Sequence, residues 1–140
     1  MEQIVGIMLS IKPKWAKLIY NGKKKIEWRK NIPQIYFPGM KIYIYETAPV
    51  CKVTGCFMLC DYFSKKAAFG IANPKRHLNS VFKLGRVSLK ELIKYQGNSK
   101  FVYGWNVHDP QKFDEPKSLS EFGIQRAPQS WQYIKKETDK

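Results

Sequence analysis

The stretch LSIKPKWAKLIYNGKKKIEWRK, Leu9 to Lys30, changes period twice and sets the frame for the rest of the chain. It follows an apolar run, Ile4 to Leu9, suited to a buried strand. Pro13 fits a first helical turn, and Trp15, Leu18 and Ile19 fall at helical spacing on one face. Gly22, after Asn21, is where a left-handed residue ends that helix. Beyond it Lys25, Glu27 and Arg29 alternate with Ile26 and Trp28, the period of a strand. The apolar pair belongs to the core, and the charged triplet lines an outer surface or the mouth of a cleft.

Charge is the unusual feature of this stretch. Lys12, Lys14, Lys17, Lys23, Lys24, Lys25, Arg29 and Lys30 crowd around one acid, Glu27. Either the lysines fan out into water, with Glu27 and Arg29 forming a surface ion pair worth about 0 to 1 kcal/mol, or an anion sits among them. For Lys24 to act as a base it must lose its proton near neutrality, against a reference pKa of about 10.4. At an effective dielectric of about 20, one cation ~6 Å away contributes roughly 2.8 kcal/mol toward that. Glu27 opposes it by a comparable amount, so only burial makes Lys24 basic, and the stretch looks solvated. Binding is the simpler role.

Outward from there, Phe37-Pro38-Gly39 is a turn, and Met40 to Glu46 a strand broken by Pro49. Lys52 to Tyr62 is another strand, with Gly55 a bulge. A helical piece around Lys65 to Ile71 precedes Asn73-Pro74. Val87 to Tyr95 is a stronger helix, with Ser88 as N-cap and Glu91 completing a capping box. Phe101 to Val107 is a strand, Asp109-Pro110 a turn, Ser118 to Phe122 a short helix stopped by Gly123, and Trp131 to Ile134 a closing strand. Short strands with helices between them, without regular β-α-β alternation, predict an α+β chain built as a compact mixed β-barrel of five or six strands with flanking helices.

The bulk properties bound the function. At 140 residues, with 44% hydrophobic and 14% aromatic content, the chain is expected to fold as one domain over residues 1–135, with residues 136–140 a charged tail frayed from about Lys135. The formal charge of +14 points to polyanions, nucleic acid first. No apolar run is long enough to span a bilayer and MEQIVGIML lacks a basic leader, so no membrane association is expected and a cytoplasmic location is. Cys51, Cys56 and Cys60 match no zinc spacing and suit reduced, structural thiols; no metal and no cofactor is expected.

Several segments together carry a resemblance. Ser10-Ile11-Lys12-Pro13 followed by Gly22-x-Lys24-x-x-Glu27-x-Arg29 resembles the ASCH-domain family, whose hallmark is G-x-K-x-x-E-x-R after a helix. Ile44 to Val50, Pro116 to Gly123 and Ala127 to Tyr133 are similar to later family segments, in the same order. The resemblance implies a PUA-like fold with a helix leaning over a cleft, and an RNA or nucleotide ligand. It implies a cleft lined by Lys24, Glu27 and Arg29, with Ser10 and Lys12 entering from the strand-to-helix turn and Thr47, Gln129 and Ser130 nearby. Gln129 and Ser130 offer groups that read a base edge or a phosphate, or that serve loop hydrogen bonds. Because an undistorted strand would turn Lys24 toward the Ile26 side, the resemblance requires Lys24 to precede the strand, beside the Gly22 turn.

Some members of the family are amidohydrolases acting on acylated cytidine, and others cleave RNA. The amidohydrolase type pairs the motif lysine with a threonine where this chain has Glu27, and uses an acid before a later helix where this chain has Lys83-Leu84-Gly85-Arg86. The favoured reading is an RNA- or nucleotide-binding domain with a role in translation or RNA metabolism. The alternative is a hydrolase on modified nucleosides or RNA, with Lys24 and Glu27 catalytic; a module binding an acidic protein is a third. Tyr36 and Phe37, between Pro33 and Pro38, are candidates for base stacking, and Asn73-Pro74-Lys75-Arg76-His77 for a second basic patch; His77 and His108 suit surface or turn positions.

Overall fold

The apolar run at the head of the chain becomes strand β1 (Glu2–Ile11), buried continuously from Gly6 to Ile11. Burial on both faces suits a central strand. β1 lies between β3 (Lys41–Glu46), its parallel partner, and β8 (Trp131–Glu137), its antiparallel one. A parallel pair needs a crossover. Here the crossover carries helix α1 (Pro13–Tyr20) and the short strand β2 (Ile26–Arg29). β4 (Lys52–Met58) and β7 (His108–Lys117) complete a five-stranded sheet in the order β7-β4-β3-β1-β8. A second, antiparallel sheet has the order β2-β6-β5, from β5 (Phe69–Ala72) and β6 (Val102–Asn106). The computed structural model describes residues 2–59, 68–75 and 86–137.

Three apolar clusters stack these layers. The main core joins Ile7, Leu9, Ile42, Ile44 and Phe57 of the large sheet to Ile19 of α1 and to Phe69 and Trp105 of the small sheet. On the far side of the small sheet, Ile26, Trp28 and Val102 pack against Leu92 of helix α2 (Leu89–Gln96). On the far side of the large sheet, Met8, Val53, Ile124 and Ile134 form the third cluster, under Phe113 and the 3-10 turn Leu119–Phe122.

The α+β content is as expected; the barrel is not. Among the described residues the strands form two open sheets of five and three strands, with no closed barrel. Closure would need the outer strands to pair, and both are finished as edges. β7 is exposed along most of its length and carries Pro110 and Pro116, which donate no hydrogen bond, while β8 carries the exposed Lys135 and Lys136 near its end.

Local readings were corrected where pairing overrode pattern. Phe69–Ala72 is a strand rather than the end of a helix, because Phe69 pairs with Trp105 across β6; residues 65–67 lie outside the described residues. Asp109-Pro110 is absorbed into β7. Met58 pairs with His108 and Cys56 with Gln111, so one extra residue bulges there, and Asp109 takes φ 48°. Lys135 and Lys136 pair with Ile4 and Gln3, so β8 runs on where a frayed tail was expected; residues 138–140 are outside the described residues. Tyr36 and Phe37 pack half-buried on the main core, the Tyr36 ring 5.7 Å from that of Phe69, rather than projecting for stacking. Cys56 is buried and Cys51 exposed, while Cys60, His77 and Lys83 to Gly85 lie outside the described residues.

The turn chemistry held. Gly22 and Gly39 take φ 80° and 75°, and Ser88 accepts a hydrogen bond from the Glu91 amide at the start of α2. Gly55 sits at a register shift, where any side chain would collide with the Gln111 carbonyl and the Tyr20 hydroxyl.

Candidate functional site

β2 is an edge strand of the small sheet, so residues from both of its faces reach the gap beside it. That gap is a cleft of about 770 Å³. Lys24, Glu27, Trp28 and Arg29 line its base, and Ser10, Lys12, Lys14 and Trp15 line the side formed by the β1-to-α1 turn. Glu91, Lys94 and Tyr95 of α2 line another side, and Lys30, Thr47 and Gln129 complete the rim.

The turn after α1 aims Lys24 inward. With Gly22 left-handed, the Lys24 amide donates to the Leu18 carbonyl at 2.8 Å and folds the chain back against its own helix. Lys24 thus precedes the regular strand, where the resemblance required it, and is only 1% exposed. The sequence had suggested a solvated lysine. That reading failed because the chain doubles back over this position instead of extending. Glu27, expected on an outer or rim face, is also buried, at 5% exposure, opposite Trp105 in the β2–β6 ladder; Lys25 is exposed.

A continuous ion chain results. The Lys24 Nζ stands 3.4 Å from Glu27 Oε1, and Arg29 donates to Glu27 Oε2 from Nη2 at 2.5 Å and from Nε at 3.1 Å. Arg29 also donates from Nη2 to the Ser10 carbonyl (2.7 Å) and from Nη1 to Ser130 Oγ (3.2 Å). Burying a carboxylate costs several kcal/mol unless good geometry and extra hydrogen bonds compensate. Two cations meet that need, and the planar guanidinium fork reaches three partners at once.

Burial pushes Lys24 below the ordinary lysine range, and the neighbouring Glu27 carboxylate partly offsets that shift. Burial likewise pushes the Tyr95 phenol up, with Arg29 acting in the opposite direction.

Of the residues singled out from sequence, Ser10, Lys12, Lys24, Glu27, Arg29, Thr47 and Gln129 line the cleft. Ser130 lies behind it and holds Arg29. The Ser10 hydroxyl donates to the Pro128 carbonyl at 2.6 Å, so it serves the framework rather than a ligand. Arg29 is largely consumed in joining β2 to the end of β1 and to Ser130; it positions the site more than it offers itself. Trp15, Lys94, Tyr95 and Glu91 are cleft residues that the sequence did not single out for the site. The spacing of Trp15 with Leu18 and Ile19 marks only a shared helix face. The α2 residues were placed on a helix, but nothing local said which way that helix faced.

The ASCH domain model matches residues 9–117. This chain belongs to the ASCH domain family. Its fold is similar to the crystal structure of ASCH from Zymomonas mobilis, with TM-score 0.76, 23% identity, and coverage of 93% of this chain and 87% of that one. A mutant of the same Zymomonas mobilis protein superposes with TM-score 0.77 at 22% identity, covering 96% of this chain and 91% of that one. A 50-residue segment is 42% identical to the ASCH domain-containing ribonuclease of Zymomonas mobilis, covering 34% of this chain and 32% of that protein. The chain is also 28% identical over 131 residues to ATP synthase subunit alpha of Ureaplasma parvum, covering 92% of this chain but 15% of that protein. The ASCH chain therefore spans only a fraction of the curated relatives it matches. No helix among the described residues is long and apolar enough to cross a membrane.

Proposed function

We propose that the chain binds RNA, or a nucleotide of it, in the cleft beside β2, with phosphate drawn by the lysines. The observation that carries this reading is the charge of the lining: Lys12, Lys14, Lys24, Arg29, Lys30 and Lys94 against Glu27 and Glu91. A concave site lined by one sign of charge concentrates counter-ions and raises the association rate of a polyanion. Lys12, Lys14, Lys30 and Lys94 are exposed at the rim, within reach of a backbone, whereas Lys24 is held at the base. Thr47 and Gln129 supply hydroxyl and amide groups for a base edge.

A second reading, that the bound RNA is cut, is favoured by two observations. Burial moves Lys24 in the direction a proton-accepting amine requires, and a relative sharing a 50-residue segment is named a ribonuclease. In that reaction the 2′-hydroxyl attacks the adjoining phosphorus, the fraction of Lys24 that has lost its proton to solvent takes the hydroxyl proton, and the 5′-oxygen leaves to be protonated by solvent. Glu27 has no part as a nucleophile, because both of its oxygens are engaged by Lys24 and Arg29. Release of an acyl group from cytidine therefore gains no support from this site.

End-labelled single-stranded RNA incubated with the protein separates the two readings. Retention of intact RNA supports binding alone. Fragments that disappear with Lys24→Met and also with Lys24→Arg support cleavage, since arginine keeps the charge but does not give up a proton. Absence of both binding and fragments overturns the proposal.

A further inference from the structure

Two aromatic rings flank the Lys24–Glu27–Arg29 chain, and each carries a lysine. On one side Lys14 Nζ stands 4.4 Å from the centre of the Trp15 ring, with Lys24 Nζ 5.2 Å from it. On the other, Lys30 Nζ stands 5.0 Å from the centre of the Tyr95 ring. All of these residues line the cleft. Trp15 is half-buried and Tyr95 is 38% exposed, so both rings keep accessible surface. Trp28 differs. It is 7% exposed and packed with Ile26, Leu92 and Val102, and so belongs to the cleft floor.

The rings come from different helices, Trp15 from α1 and Tyr95 from α2. The contacts from Trp15 to Lys24, Lys24 to Glu27 and Glu27 to Arg29 form a path across the cleft base, and Tyr95 senses the charges of Arg29 and Glu27 at its far end. A single nucleotide has one base and occupies one ring. A cleft of about 770 Å³ lies in the upper part of the ~300–1,000 Å³ range of small-ligand sites, and leaves the second ring–lysine pair without a use.

We propose that the cleft takes a dinucleotide step of a single-stranded polynucleotide, one base on Trp15, the next on Tyr95, and the linking phosphate facing Lys24, which Arg29 helps to position through Glu27. This deepens the nucleic-acid reading above and rests on it. Stacking a base on an aromatic ring outweighs an exposed cation–π contact, so bases displace Lys14 and Lys30 from the ring faces. The freed ammonium groups then meet the outer phosphates. A duplex does not fit, because its bases are already stacked on one another. Stacking is sequence-tolerant, so the step is selected for being single-stranded rather than for its letters.

Calorimetric titration with AMP, with the dinucleotide ApA, with a single-stranded 12-mer of adenosine and with a 12-bp RNA duplex tests this. ApA is expected to bind at least tenfold more tightly than AMP, and the duplex to bind more weakly than the 12-mer. Tyr95→Ala and Trp15→Ala each lower ApA affinity about tenfold, and Tyr95→Phe, which keeps the ring, restores it. Should Trp15→Ala not fold, the Trp15 indole proton shift on adding ApA to the unaltered chain serves instead. The inference is overturned if ApA binds no better than AMP, if the duplex competes equally, or if either ring proves indifferent to ApA. Where the 12-mer still binds and Lys24→Met weakens it, the dinucleotide inference alone has failed. Where no RNA ligand binds at all, the nucleic-acid reading has failed with it.

Discussion

Two inward-facing polar groups lie at and just beyond the C-terminal end of helix α1, and the two are built differently. On the large-sheet side the Tyr20 hydroxyl and Thr54 Oγ1 share a hydrogen bond of 2.7 Å, a neutral pair. On the small-sheet side Lys24, Glu27 and Arg29 bury charge along the edge of β2. A neutral hydrogen bond contributes about 1 kcal/mol net and asks little of its surroundings. A buried ion chain contributes little net stability over an apolar replacement, and removing one member costs roughly 3–5 kcal/mol. The fold needs only the first kind of contact to fasten a helix. The second kind stands at a cleft, where it holds a cation in place at the base.

The largest expected difference between the two clusters comes from Arg29→Ala. It leaves Glu27 with Lys24 alone and cuts the ties to Ser10 and Ser130, costing about 3 kcal/mol in a urea unfolding curve, at the lower end of the range because Arg29 is partly exposed. Arg29→Lys restores little, since one ammonium does not reach three partners. Lys24→Met comes next. It lowers RNA affinity at least tenfold in fluorescence anisotropy while changing stability by less than about 1 kcal/mol, because Glu27 keeps Arg29 and the cost of burying an ammonium is gone. Tyr20→Phe is smaller still. It removes one hydrogen bond, costs about 1 kcal/mol in the same unfolding assay, and leaves RNA affinity unchanged.

The smallest effect is on the pH dependence of melting. Lys24 binds its proton less tightly folded than unfolded, so stability rises with pH up to the ordinary lysine value of about 10.5. Tyr20 is pushed up chiefly by burial and holds its proton more tightly when folded, so its stabilising share is lost as pH rises above about 10. In melts from pH 8 to 11, Lys24→Met flattens the rise and Tyr20→Phe softens the alkaline fall.

The same contrast explains what was legible in the sequence. Strand, helix, Gly22 turn and strand over Leu9 to Lys30 were readable because each rests on a local rule: period, proline position, a left-handed glycine. The N-cap at Ser88 was readable for the same reason, as was the short helix stopped at Gly123, although the reciprocal capping box forms at Ser118 rather than at Ser88. Burial of Lys24 and Glu27 was not, because it depends on Trp105 and the far end of β1, distant in sequence. Nor was β5, where Gly70 and Ile71 are exposed and only pairing with β6 makes a strand. Open sheets rather than a barrel follow from which edges pair, and periodicity carries no information about that.

The most direct test is the salt dependence of affinity for a labelled single-stranded RNA, measured for the native chain and for Lys24→Met. With roughly five phosphates engaged, log affinity should fall against log salt with a slope near −3.5, about 100-fold between 50 and 200 mM, and Lys24→Met should make the slope shallower by about 0.7. An affinity indifferent to salt, or a slope that Lys24→Met leaves unchanged, would contradict a cationic cleft built around that lysine.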